Sequence, residues 1–265
     1  MAFASAEEIA KSGAIYGVRT AEAAQELLAK ELARALDNRQ GCKDYRPWDI
    51  VNFDKILDRK QAWIGFEFET GFDNKNEYQK FIRHLWDQKY TAIDKEGTGN
   101  YPVEVAYAPM HLADVKAGKS TLRQSVEFMR KNNLTPALNP TTFTRRDVGI
   151  HAGISSPAML ACHDKYELCS RLNRALLSLN DKQRVKVYGR SALHWGGAHN
   201  RRAYFEIKVF KAIPTVEHVK MVERVTINIV KLMDYLAANE EAAPSSAAVF
   251  KFLSSARPAL SWLKE

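Results

Sequence analysis

The stretch WIGFEFET, residues 63–70, alternates apolar and polar side chains with the two-residue period of a β-strand. Its apolar set, which the pattern assigns to a core, is Ile64, Phe66 and Phe68. Glu67 and Glu69 lie together on the opposite face. Two carboxylates on one face raise each other's pKa unless a cation lies nearby. The stretch therefore predicts a strand with one buried face and one face that attracts positive charge.

Three later segments are predicted strands with the same alternation: residues 101–109, 147–155 and 202–210. The residues on their second, polar face are Glu104, His151, Glu206 and Lys208. The two-residue period also assigns Phe210 to that face. Residues 184–190, RVKVYGR, also alternate, and we expect them to form a hairpin with the last of these strands. If the strands share one sheet, all of the polar groups project from one surface.

The segments between the strands have helical periodicity and residues that favour helix starts. The predicted helices cover residues 5–37, with a break near Gly13 and Gly17, and then 76–90, 120–132, 157–179, 215–238 and part of 244–263. The side chains expected to cap helix starts are Thr20, Ser120 or Thr121, Ser156 and Thr215. Helices that alternate with half-polar strands predict an α+β fold in which helices cover one face of a sheet.

The composition is that of a folded protein with a basic surface. The chain has 265 residues, 46% of them apolar, enough for one large domain or a domain with an appendage. Its formal net charge of +8 favours anionic partners such as nucleotides, nucleic acid or acidic substrates. The three cysteines have no metal-binding spacing, and neither a secretion signal nor an apolar run of about 18 residues is present. We therefore expect a cytoplasmic protein with no membrane partner, in the host cytoplasm if its source is a phage.

The polar face carries the groups of a hard-metal site. Carboxylate oxygens with one imidazole suit Mg²⁺ or Mn²⁺, and those ions commonly bridge phosphate oxygens. Each group also has an ordinary alternative, because Glu-x-Glu, or Glu206 beside Lys208, is common on a solvated strand. His151 is less ordinary, since Gly149 and Gly153 on its face leave room for a ligand. The joint pattern over four strands predicts the metal site.

Five segments, taken in order, resemble the amidoligase family, the carboxylate–amine ligases related to glutamine synthetase. They are GFEFET, AIDKEGTGNYPVEVAYAP, VGIHAGIS, YGRSALHW and RRAYFEIKVF, and the resemblance covers about residues 62–236. It implies a glutamine-synthetase-like α+β fold, with a mainly antiparallel curved sheet, helices on one face and an open acidic face. The chain would then have a helical appendage and linker at 1–60, a catalytic domain at 61–240 and a helical tail at 241–265.

The resemblance implies a metal-binding role for each acidic strand residue. Glu67 and Glu69 would bind two different ions, and Glu104 would join Glu69 on the ion near the substrate. His151 and Glu206 would join Glu67 on the ion that bridges the nucleotide phosphates. The implied cofactors are ATP and Mg²⁺ or Mn²⁺.

Three further residues would act on the substrates. Arg190 would contact the phosphoryl group in transfer, Lys208 stands where the family usually has an arginine, and Asp94 would help receive the amine. Arg190, Lys208 and His151 would also contact the nucleotide. In the implied reaction the γ-phosphate of ATP passes to a carboxylate, and an amine attacks the resulting acyl phosphate. The substrates would be a carboxylate and an amine from an amino acid, a peptide or a modified polymer.

Two departures from the family pattern leave other functions open. Gly153 replaces the second histidine of G-x-H-x-H, and Lys208 keeps a charge without the planar fork of arginine. One alternative is a non-catalytic ligase-like protein that binds nucleic acid or another protein. The tryptophans that could stack on bases are Trp48, Trp63, Trp86 and Trp195. The other alternative is a metal-dependent nuclease, because Glu206 and Lys208 match an ExK motif.

Overall fold

A computed structural model of the chain describes residues 20–37, 60–87, 92–94, 99–137, 149–190, 197–201 and 203–264. These residues belong to two compact units. The first unit lies within Met1–Asp58, Phe68–Ala108 and Glu127–Thr142, and the second lies within Arg59–Glu67, Pro109–Val126 and Phe143–Glu265. The boundaries predicted near residues 60 and 240 stay predictions, and the helix predicted before Thr20 lies outside the described residues.

Helices and strands alternate along much of the described chain. The helices are α1 (Ala21–Asp37), α2 (Lys75–Asp87), α3 (Leu112–Lys116), α4 (Thr121–Lys131), α5 (Pro157–Ala161), α6 (Lys165–Leu177), α7 (Asp181–Tyr188), α8 (Val216–Ala238) and α9 (Ser246–Ser254), followed by a 3₁₀-helix at Leu260–Lys264. The strands are β1 (Trp63–Phe72), β2 (Ala92–Asp94), β3 (Tyr101–Ala106), β4 (Met110–His111), β5 (Gly149–Ser155), β6 (Ala198–Asn200) and β7 (Phe205–Lys211). The prediction of an α+β protein with an open antiparallel sheet is confirmed. The more specific glutamine-synthetase-like fold stays a prediction.

The first unit packs helix α2 on part of the sheet. The strand order there is β2–β3–β1, and β2 pairs antiparallel with β3. The predicted inward residues of α2, none more than 2% exposed, are Tyr78, Phe81, Ile82 and Leu85. The ring of Phe81 lies 5.3 Å from that of Phe72 on β1, and the ring of Tyr78 stacks on Tyr101 of β3. The helical spacing of the apolar residues therefore brings one stripe of α2 onto the apolar side of the strands.

The second unit is built around helix α8. Its strand order is β1–β5–β7–β6, and β4 also pairs with β1. Helix α8 contacts α3, α5, α6, α7 and α9 as well as strand β5. The residues predicted to face inward from α8, all fully buried, are Val219, Val222, Thr226, Ile229 and Met233. This helix therefore supplies much of the second unit's core.

The predicted capping residues occupy the helix starts. The side-chain oxygens of Thr20, Ser120, Ser156 and Thr215 each accept a hydrogen bond from the backbone N–H three residues later. Such a cap is worth about 1 kcal/mol because it satisfies a donor that the helix leaves unpaired. Local sequence therefore determined where these four helices begin.

The strand predicted at residues 184–190 is wrong, because most of that segment is helix α7. Asn180 and Gln183 form a reciprocal capping box at its start, and Gly189, with φ of 77°, ends it in the left-handed region. These end signals outweigh the alternation of valines inside the segment. The partner of β7 in the hairpin is β6, where His199 lies opposite Glu206.

The single helix predicted over residues 157–179 is also wrong. The chain leaves the helical conformation at Cys162, so that α5 ends at Ala161 and α6 begins at Lys165. The side chain of Asp164 caps the second helix by accepting a hydrogen bond from the N–H of Glu167 at 2.9 Å. A second capping residue inside the periodic segment therefore divides it in two.

No helix among the described residues is apolar over the length needed to cross a bilayer. The fully buried helix α8 residues are interrupted by charged residues such as Lys220 and Arg224, both exposed. The long helix is thus amphipathic, with one buried side and one charged, exposed side.

Candidate metal centre

Three strands of the second unit bring two glutamates and a histidine together. Glu67 comes from β1, His151 from β5 and Glu206 from β7, and one ligand atom from each lies within 4.8 Å of the others. The Nδ1 atom of His151 is 3.2 Å from a carboxylate oxygen of Glu67 and 4.0 Å from one of Glu206. We call these three residues the metal-ligand cluster.

The position of His151 in the cluster depends on a β-bulge. Ile150 pairs with Phe210 and Ala152 pairs with Ile207, so one residue of β5 faces two residues of β7, Lys208 and Val209. A bulge of this kind locally redirects side chains and strengthens the strand twist. It also shifts the alternation of β7 by one residue. The prediction that Phe210 shares the polar face is therefore wrong, and its ring, 1% exposed, packs edge-on against Tyr188.

Glu206 is a buried carboxylate held between two cations. The residue is 6% exposed, Lys208 Nζ lies 2.9 Å from one of its oxygens, and Arg201 donates to the other at 2.7–2.8 Å. Burial opposes ionisation, but the hydrogen bonds and charges of Lys208 and Arg201 outweigh it and hold the pKa of Glu206 below its usual value. Glu206 is therefore an anion at neutral pH, as a metal ligand must be.

The separations of His151 Nδ1 from the two glutamates are compatible with a small divalent ion. At an ion–ligand distance of about 2.1 Å, neighbouring octahedral ligands are about 3.0 Å apart and opposite ones about 4.2 Å apart. The 3.2 Å and 4.0 Å separations of His151 from the two glutamates lie close to these values. Two carboxylates and one imidazole are also the donor types that Mg²⁺ and Mn²⁺ accept. Because Lys208 already contacts Glu206, an ion bound there would share or displace that contact.

The two glycines beside His151 do not leave the room for a ligand that the sequence predicted. A Cβ atom on Gly153 would lie 3.2 Å from the ring of Tyr204, which also contacts Trp63 at a centroid distance of 6.0 Å. A Cβ on Gly149 would lie 3.1 Å from Nε2 of His151 itself. Gly153 thus accommodates an aromatic pair, and Gly149 accommodates the imidazole that carries the candidate ligand atom.

A pair of glutamates lies in the first unit. Glu69 on β1 and Glu104 on β3 are both half-exposed, and their carboxylate oxygens approach within 4.8 Å of one another. Asp94 on β2 is the register partner of Glu104. The structure therefore brings these sequence-predicted residues to neighbouring strands, and their roles as ligands and amine receptor stay predictions.

Arg190 follows the left-handed Gly189 at the end of α7 rather than lying within a strand. A Cβ atom on Gly189 would lie 2.7 Å from the ring of His218, so the turn and the ring are closely packed. Burial, together with the nearby charges of Lys211 and Arg190, holds the pKa of His218 below its usual value, although its hydrogen bond to Lys211 O opposes this. The contact of Arg190 with a phosphoryl group stays a prediction.

Two residues of the β6–β7 hairpin escaped the sequence analysis. Arg201 holds Glu206, and His199 lies opposite Glu206 with its Nε2 atom buried and without a hydrogen-bond partner among the described residues. The only sequence signal for Arg201 is the basic pair that precedes β7. No alternation marks the three residues of β6, which explains why His199 was missed.

Comparison with known proteins leaves the family open. A scan against protein families finds no match, and a search of curated proteins finds none either. Assignment of a function therefore depends on the geometry of the metal-ligand cluster and on the motif resemblance.

Proposed function

We propose that the protein is a divalent-metal- and ATP-dependent ligase that joins a carboxylate to an amine. The observation that carries the proposal is the convergence of Glu67, His151 and Glu206 from three separate strands of the second unit. Acidic residues on an exposed surface are common, but a glutamate that is 6% exposed and shares a small cluster with an imidazole is not. The amidoligase-like motif order supplies the choice of reaction.

The chain's own residues would hold and orient the ion and the nucleotide. The metal-ligand cluster would bind Mg²⁺ or Mn²⁺, and Lys208 and Arg201 would keep Glu206 ionised and fixed. A bound ion would neutralise the phosphate oxygens of ATP during transfer. Arg190 would contact the transferring phosphoryl group, as the resemblance implies. Glu69 and Glu104 would bind a second ion in the first unit.

The proposed reaction has two steps. An oxygen of the substrate carboxylate attacks the γ-phosphorus of ATP, and the bond to the β-phosphate oxygen breaks to release ADP. The amine nitrogen then attacks the acyl carbon of the acyl phosphate, and inorganic phosphate leaves while Asp94 accepts the amine proton. Because carboxylates are poor electrophiles, the first step is what makes the amide bond accessible.

The test is release of ADP by the full chain in the presence of Mg²⁺. Candidate carboxylates and amines, including amino acids and acidic peptides, are added singly and in pairs. The proposal expects ADP release that requires both substrates, and loss of that release in Glu67→Gln and Glu206→Gln but not in Glu240→Gln, an exposed glutamate outside the cluster. ADP release that persists in both cluster variants would overturn the assignment.

A second candidate function is a metal-dependent nuclease. The observation in its favour is that Lys208 Nζ lies 2.9 Å from Glu206 on the same strand, which keeps the two residues of the ExK motif together. A lysine in this position could stabilise the charge that develops on a scissile phosphate. Cleavage of DNA with Mg²⁺ or Mn²⁺ in the absence of ATP, lost in Glu206→Gln, would favour this function over the ligase.

A further inference from the structure

A basic groove lies on the second unit and shares no residue with the metal-ligand cluster. Its volume is about 310 Å³, and helices α3, α4 and α8 contribute to its lining. The cationic side chains that line it, and that define the basic groove, are Lys116, Arg123, Lys220, Arg224 and Lys231. With Glu223 also in its lining, the groove carries a formal net charge of +4 in a chain whose net charge is +8.

Three of the cations form a row along one side of helix α8. Lys220, Arg224 and Lys231 are four and then seven residues apart, which places them on one face of a helix. Because each residue rises 1.5 Å, the row is about 16 Å long. Lys116 from α3 and Arg123 from α4 line the same groove. The positive charge is thus extended along the groove rather than concentrated at one point.

The groove holds more positive charge than its own residues neutralise. Glu223 is the carboxylate in its lining, and both of its oxygens accept hydrogen bonds from Arg123. Among the described residues, the other four cations have no carboxylate within ion-pair distance. Burial, and then the charge of Lys116, holds the pKa of Lys231 below its usual value. An anionic ligand would relieve this repulsion.

The position of the Arg123 side chain is fixed by its neighbours Glu223 and Gly118. Glu223, only 2% exposed, holds its guanidinium from one side. On another side, a Cβ atom on Gly118 would lie 2.6 Å from Nη1 of Arg123, and the φ of 75° at Gly118 also favours glycine. The arginine therefore needs little reordering to meet a ligand.

The side chains that line the groove are suited to binding negative charge rather than to recognising bases. Its apolar residues are the aliphatic Val115, Ile227 and Ala256, and the described part of the chain contributes no aromatic side chain to it on which a base could stack. The side-chain amide of Asn228 donates to the backbone oxygens at the end of α9, so it is not available to read base edges. A ligand here is recognised through a chain of negative charges.

We propose that the basic groove binds the phosphate backbone of a nucleic acid without regard to its sequence. A row of about 16 Å matches several successive phosphates, since the phosphates of one strand of a duplex are about 3.4 Å apart along the axis. Contacts of this kind release counterions, so binding weakens steeply as salt rises. The inference is independent of the metal-ligand cluster and holds whether or not the protein is a ligase.

The test is fluorescence anisotropy of labelled DNA and RNA oligonucleotides of two unrelated sequences, titrated with the full chain at about 50 to 200 mM salt. The proposal expects equal affinity for the two sequences within about threefold. It expects the variant K220Q/R224Q/K231Q to bind at least about tenfold more weakly. The slope of log K against log salt should fall by about 2 to 3, because three phosphate contacts are lost.

A matched control removes the same charge elsewhere. The variant K182Q/K186Q/K264Q replaces three exposed lysines outside the groove and should lose no more than about threefold in affinity. K220Q/R224Q, which changes only exposed residues, provides a second groove variant if the half-buried Lys231 proves necessary for folding. Equal losses in groove and control variants would overturn the proposal. So would a strong preference for one sequence, or binding of labelled inorganic polyphosphate without binding of either nucleic acid.

Discussion

The Nδ1 atom of His151 lies 3.2 Å from a carboxylate oxygen of Glu67, and this contact connects strands β5 and β1 within the second unit. The two residues are 84 positions apart in the chain. An imidazole nitrogen at this distance can donate to the carboxylate or, with it, bind a metal ion. The contact therefore marks one edge of the metal-ligand cluster.

Replacing Glu67 by glutamine should weaken Mn²⁺ binding by roughly 10- to 100-fold or more, since even loss of an outer-shell partner costs that much. The variant keeps the shape of the side chain and removes the charge. Isothermal titration calorimetry of the full chain measures the effect, and Glu240→Gln, at an exposed position, serves as the control. Unchanged Mn²⁺ affinity in Glu67→Gln would remove this residue from the ligand set.

Replacing Lys208 by methionine should tighten Mn²⁺ binding while lowering metal-dependent ATP turnover. The lysine contacts the same oxygen of Glu206 that lies 4.0 Å from His151, so it competes with an ion for that oxygen. A gain of about tenfold in affinity corresponds to about 1.4 kcal/mol. Weaker Mn²⁺ binding in this variant would show that Lys208 supports the ion rather than competing with it.

Replacing Asp234 by asparagine should stabilise the fold at neutral pH. Burial raises the pKa of Asp234 above its usual value of 3.8, and the hydrogen bond from Ser156 only partly offsets this. A raised carboxyl pKa means that the fold loses stability as pH rises through 3.8 toward the folded-state pKa. Asparagine can still accept from Ser156 and carries no charge. The urea midpoints of Asp234→Asn and of the unchanged protein should thus differ at pH 7 and converge below pH 3.8. A difference that stays constant with pH would show that it does not come from the buried charge of Asp234.

Replacing Arg123 by methionine should destabilise the second unit by about 3–5 kcal/mol, because it leaves Glu223 charged and buried without a partner. Urea denaturation measures the loss. The double variant R123M/E223M should recover much of it, since neither charge then remains in the interior. A single-variant cost below about 1 kcal/mol would place this pair among solvated surface ion pairs instead.

Replacing Gly189 by alanine should cost about 1 kcal/mol or more. The residue has a φ of 77°, and the added Cβ would lie 2.7 Å from the His218 ring. Gly153→Ala provides a comparison without positive φ, since its Cβ would meet the edge of Tyr204 at 3.2 Å. An unchanged melting temperature in Gly189→Ala would show that helix α7 does not need a left-handed glycine at its end.

Features that depend on neighbouring residues could be predicted from the sequence. The alternation in residues 63–70 correctly placed Ile64, Phe66 and Phe68 in a core, and helical spacing did the same for α2 and α8. Caps such as Thr215 located helix starts to within a residue or two. The strand predicted from alternation at α7 was wrong, because the capping box and Gly189 determined the conformation of this segment more strongly than the valines inside it.

By itself, the sequence determined which face of β1 carries the glutamates and which stripes of helices α2 and α8 lie in the core. Only the tertiary structure decided that His151 faces Lys208 and Val209 across a bulge, that Arg201 holds Glu206, and that cations from helices α3, α4 and α8 line one groove. The physical reason is that periodicity and capping act over a few residues. Strand register, burial and the pairing of charges depend instead on segments that meet only when the chain has folded.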